Sequence, residues 1–156
     1  MSAAHPEPDL APPNAVPPPT GSRASAPISM PTGKLLIVVF AGAAFAGLAI
    51  WALTSFVRPQ STAGVPWGAL AGGVGTALGT LVIQPWKPRP VTAWGPTLLA
   101  AQGIAFFGVI LLAIGLYSAS RPDPVGLLVG AVASFVCATL AQASVAGARM
   151  KAALAG

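Results

Sequence analysis

Four stretches of this chain, about Lys34–Val57, Pro66–Trp86, Pro96–Ser118 and Pro124–Val145, each run for 20 or more residues with no Asp, Glu, Lys, Arg or His inside them. A helix rises 1.5 Å per residue, so about 20 residues cross a hydrocarbon core roughly 30 Å thick. Lipid offers no partners to backbone N–H and C=O groups, so each stretch is expected to close its own hydrogen bonds as a helix. A β-barrel needs shorter segments of alternating polarity, and no such alternation is present. The expected fold class is all-α: a polytopic membrane protein of four transmembrane helices arranged as two hairpins, behind a disordered, Pro-rich N-terminal tail. Charge content agrees, since 7% of residues are charged against about 25% in a soluble domain. Pro66, Pro96 and Pro124 each fall at a predicted helix start, where a missing N–H costs little.

Residues 1–32 form the expected tail and residues 33–151 the four-helix domain. Nine of the first 31 residues are proline. Such a composition buries no core and lacks amide donors. A polyproline spacer or tether on the cytoplasmic side is the expected form. The first apolar run begins too late and is too long for the core of a secretory signal.

Between the second and third stretches the chain reads "QPWKPRPVTAW", residues 84–94, with three prolines and two cations in its first seven positions. Counting cations by loop explains it. Arg23, Lys34, Lys87, Arg89, Arg149 and Lys151 fall on one side of a four-span path, and Arg58 and Arg121 on the other. The excess predicts that both termini and this turn are cytoplasmic. Lys87 and Arg89 are expected to anchor against anionic lipid, with Trp86 and Trp94 in the interfacial aromatic belt. The formal net charge of +5 is thereby assigned to orientation. Cations spread singly or in pairs at the ends of apolar runs do not make a nucleic-acid patch.

The two outer loops are alike. Arg58-Pro59 and Arg121-Pro122 each precede a P-x-G-x-L-x-G pattern, at Pro66, Gly68, Leu70 and Gly72 and at Pro124, Gly126, Leu128 and Gly130. The offset at the helix starts is 58 residues, and the first loop is five residues longer. Two related hairpins about an axis along the membrane normal would produce this. The second stretch also carries small residues at four-residue spacing, Gly64, Gly68 and Gly72 in one row and Ala71, Gly75 and Gly79 in another. The fourth offers Gly126, Gly130, Ser134 and Ala138. Rows of this kind let helix backbones approach closely. Helices two and four are therefore predicted to be the tightly packed ones, against each other, a second copy, or a partner rich in small residues.

Polar residues inside the spans are few. Hydroxyls such as Thr76 and Thr80 can bond back to their own helix. Gln102 and Gln142 are expected to bond to each other or to a partner. No carboxylate pair, nucleophile–base pair or metal-ligand set stands out. His5 lies in the tail, Cys137 has no partner for a disulfide, and the acids are Glu7, Asp9 and Asp123. "GGVGTALG" (72–79) lacks the preceding strand that a phosphate loop requires. No catalytic, cofactor-binding or metal-binding residues are expected, and an enzyme or an ion-coupled pump is disfavoured.

The basic lead "GKLLIVVF", the outer loop into "VPWGALAGGVGTALGTLVI", and the helical pair "AQGIAFFGVILLAIGLYSASRPDPVGLLVGAVASFV" together resemble the ATP synthase protein I family. The likeness covers residues 33–150 and is one of layout. It implies a small four-span protein of the bacterial cytoplasmic (inner) membrane, with cytoplasmic termini. The implied role is accessory: assisting assembly of the c-subunit ring of the F-type ATP synthase, whose c subunits are glycine-rich hairpins. Many members carry a charged pair early in the third helix, where this chain has Gln102, so cation handling is not implied. A structural subunit of another membrane complex is the alternative, and a small-solute transporter a weaker one.

Overall fold

The computed structural model describes residues 27–155. A two-residue strand β1 (Pro27–Ile28) leads to helix α1 (Thr32–Val57), a single 3₁₀ turn (Pro59–Ser61) and α2 (Val65–Val82). Strand β2 (Arg89–Pro90) follows, then α3 (Val91–Ser120) and α4 (Pro124–Ala155). All four α-helices are long and apolar enough to cross a membrane. They form an all-α, up-down-up-down bundle of two hairpins. Its outer surface suits lipid, since Phe45 is 72% and Phe56 90% exposed.

The helices do not share the interior equally. Over its most apolar window α2 is 56% buried, against 22% for α3. The most extensive contact is between α2 and α4, α1 lies chiefly on α4, and α3 lies chiefly on α2. The matched α1–α4 and α3–α2 contacts fit a two-fold relation between hairpins, whereas α1 packs on α2 more extensively than α3 does on α4. The side contacts repeat at residue level. A Cβ built on Gly42 would stand 3.2 Å from the Cys137 carbonyl oxygen and 3.3 Å from the Ala138 Cα, and one built on Gly79 would stand 3.0 Å from the Ala105 amide nitrogen. Gly42 and Ala105 share the spacing of the two Arg-Pro pairs, and Gly79 and Cys137 share that of the two helix starts.

Helix limits differ from the sequence reading at three places. The second span stops at Val82 rather than Trp86, because Gln84 turns left-handed (φ 52°) just before Pro85. The third begins at Val91, with Pro90 as its N-cap, so Pro96 sits in the second turn instead of at the start. There its ring leaves the Thr92 carbonyl without its usual amide donor. The fourth runs on to Ala155, because the alanine-rich segment after Gln142 keeps high helix propensity where membrane hydropathy fades.

The tail boundary also moves. Residues 27–31 are held against the bundle: Pro27–Ile28 pairs antiparallel with Arg89–Pro90, and the Met30 amide donates to the Pro85 carbonyl at 2.9 Å. The disorder expected for residues 1–26 concerns positions outside the described residues.

Candidate functional site

The glycine seam is internal. A side chain on Gly64 or Gly68 would run into α4 backbone at Asp123–Leu127 and Leu127–Ala131, and one on Gly72 would lie 2.8 Å from the Ala131 carbonyl oxygen. Gly126 and Gly130 make the reciprocal approach to Ser61–Gly64 and to Val65. Gly75 and Gly79 face α3 instead: Cβ atoms there would stand 2.8 Å from the Val109 amide and 2.7 Å from the Ala101 carbonyl oxygen. Of the occupants left open by sequence, the chain's own α4 and α3 fill these faces. None of the six glycines Gly68, Gly72, Gly75, Gly79, Gly126 and Gly130 is open at the bundle surface, so a partner cannot dock there without displacing a helix.

The tail and the turn after α2 meet at one end of the bundle. Trp94 is 0% exposed, and its Nε1 donates to the Ile28 carbonyl at 3.2 Å. It packs in a cluster with Met30, Leu35, Ile83, Ala101 and Ala146. Trp94 thus departs from the belt position expected of it, because β1 covers its outer edge. Arg89 departs likewise. Its Nη2 donates to the Ile83 carbonyl at 2.8 Å and its Nη1 to Thr97 Oγ1 at 3.2 Å, while its guanidinium lies 5.6 Å from the Trp94 ring centre. The guanidinium satisfies a carbonyl freed by the end of α2, a structural task rather than a lipid contact. Lys87 and Trp86 are exposed.

The glutamines meet. Gln102 Nε2 donates to Gln142 Oε1 at 3.3 Å, and Thr139 Oγ1 donates to Gln102 Oε1 at 2.9 Å. This polar triad ties α3 to α4, a pair with little other contact. Gln142 is 1% exposed, and its Nε2 has no hydrogen-bond partner. The buried hydroxyls of Thr76 and Thr80 bond back to Gly72 and Thr76 carbonyls. Ser134 instead reaches across to the Ala43 carbonyl at 3.2 Å, a helix-to-helix bond that hydroxyl spacing alone did not signal.

One surface feature was not legible in the sequence. Between α1 and α2 lies an apolar groove of about 510 Å³, lined by Ala44, Gly47, Leu48, Trp51, Pro66 and Ala69. It continues past Phe40 and Gly73. Ala44, Gly47 and Ala69 give it a small-residue lining, with Trp51 and Phe40 among the larger neighbours. Among the described residues no group of three or more His, Cys, Asp or Glu side chains could hold a metal ion.

Comparison with protein-family models, curated proteins and solved structures returned no match to this chain.

Proposed function

We propose that the chain is a small accessory protein of the bacterial cytoplasmic membrane that holds partner helices while a larger complex assembles. The observation that carries this is the α1–α2 groove, with its lining of Ala44, Gly47 and Ala69. In lipid, helices associate through close packing rather than hydrophobic exclusion, and small lining residues allow it. The glycine seam is already occupied within the chain, so close approach by a partner has to be made elsewhere, and this groove offers small residues for it. The partner in this proposal is the c subunit of the F-type ATP synthase, following the layout resemblance, because glycine-rich hairpins suit a shallow apolar groove. Buried hydroxyls are tied to backbone carbonyls at Thr76, Thr80 and Ser134, which supports a scaffold over a solute carrier.

The test is co-purification. Ala44 is exposed in the groove, so Ala44→Leu fills the groove without entering the core. It should reduce recovery of c subunits by at least about tenfold, the equivalent of 1.4 kcal/mol. Gly103→Leu, on an open face of α3, should leave recovery unchanged. Equal recovery with Ala44→Leu and the parent chain removes the docking idea. Presence of the chain in the finished, purified synthase would make it a permanent subunit instead.

A further inference from the structure

At the opposite end of the bundle from β1 and β2, a second groove runs between the last turns of α1 and the first turns of α4. It encloses about 300 Å³, and its lining includes Leu53, Val57, Arg58, Ser61, Val125 and Val129. Thr54 also lines it, its hydroxyl donating to the Ile50 and Trp51 carbonyls of its own helix, so the walls are aliphatic at Leu53, Val57, Val125 and Val129 and polar at Thr54, Arg58 and Ser61. Arg58 is exposed and caps the end of α1. Ser61 lies one turn on, its amide donating to the Arg58 carbonyl at 2.9 Å, and both residues line the groove beside its aliphatic walls. At 26 residues, α1 is about 39 Å long at 1.5 Å per residue, which carries Arg58 beyond the hydrocarbon to headgroup depth.

We propose that this groove is a binding site for an anionic phospholipid, with one acyl chain along Leu53, Val125 and Val129 and the phosphate on Arg58. The aliphatic walls suit a lipid tail, and the cation beside them selects the charge of the head. A guanidinium suits phosphate because its fork of donors matches the oxygens. Asp123, the one acid among the described residues, is close by on α4. Its Oδ2 accepts the Gly126 amide at 2.7 Å, so the positive end of the α4 dipole offsets part of its charge. Gly126 itself lines the groove, and its missing side chain lets α4 come against Ser61. The site is separate from the α1–α2 groove and does not depend on the partner proposed there.

Native mass spectrometry of the purified full chain, with phosphatidylglycerol or phosphatidylcholine of the same acyl chains, tests this. The parent should retain phosphatidylglycerol about fivefold over phosphatidylcholine, as expected for one cation near a lipid headgroup. Arg58→Gln should erase that preference. Val129→Trp, which fills the channel and keeps the charge, should lower retention of both lipids. Arg121→Gln, a cation removed at the same end but outside the groove, should leave the preference intact, and thermal melting of each variant reports whether the bundle is preserved. Equal retention of the two lipids by the parent overturns the site. So does a preference that survives Arg58→Gln, or one that Arg121→Gln lowers equally. Unchanged retention with Val129→Trp shows a surface charge effect and overturns it as well.

Discussion

Glycine at position 68 and glycine at position 103 serve opposite purposes. A Cβ on Gly68 would strike the Leu127 carbonyl and stand 2.6 Å from the Ala131 amide, whereas one on Gly103 meets nothing within 4 Å. Backbone cannot move aside as a flexible side chain does. Gly68→Ala should therefore destabilise the bundle by about 1–3 kcal/mol or more. Gly103→Ala should be neutral or stabilising by up to about 1 kcal/mol through helix propensity. Unfolding in sodium dodecyl sulfate followed by far-UV circular dichroism measures both. The glutamine pair yields a second asymmetry. Gln142 Nε2 already lacks a partner, so Gln102→Leu would orphan the Oε1 as well, at about 1–3 kcal/mol. Gln142→Leu removes the unsatisfied group along with the bond and should cost less. The reverse order in the same unfolding assay would show that the amide has a partner unseen here. That the two glutamines meet was legible in their positions. That one amide end would go unpaired was not, because it depends on side-chain geometry set by Thr139.

At the scale of elements, the end of the bundle holding β1 and β2 works as a clasp. Trp94 Nε1 and the Met30 amide hold residues 27–31 in place, and Arg89 buttresses the turn from beneath. Trp94→Phe keeps the apolar volume and deletes the indole donor. Amide hydrogen exchange at residues 28–30 should then quicken severalfold, with α1–α4 core amides unchanged; equal protection would show that packing alone holds the segment. The spans themselves were readable, since apolar length and missing charge report directly on transfer into lipid. Their ends were not. Hydropathy says nothing of Gln84 turning left-handed or of Pro90 serving as the cap of α3. The burial of Trp94 was equally invisible, since a tryptophan beside cations reads as a belt residue until a strand more than 60 residues earlier is seen to cover it.

For the whole molecule, the pairing of β1 with β2 puts the start of α1 and the turn after α2 at one end, and the up-down path brings the end of α4 there too. The charge count, six cations against two, predicts that this end faces the cytoplasm, and labelling tests it. Lys87 is exposed, so Lys87→Cys in a Cys137→Ser background should be alkylated in inverted vesicles and not from outside intact cells; outside labelling would reverse the orientation. The paired loops lead into α2 and α4, and in the bundle these two glycine-bearing helices come together. Timing follows from that. During synthesis α2 reaches the bilayer well before α4 exists, and it is the least hydrophobic and, at 18 residues, the shortest of the spans. Until the last hairpin emerges, its bare glycine row has nothing of the chain's own to lie against. A nascent chain halted after residue 123 should accordingly be a good substrate for membrane quality-control proteases, and chain completion should be what ends that vulnerability.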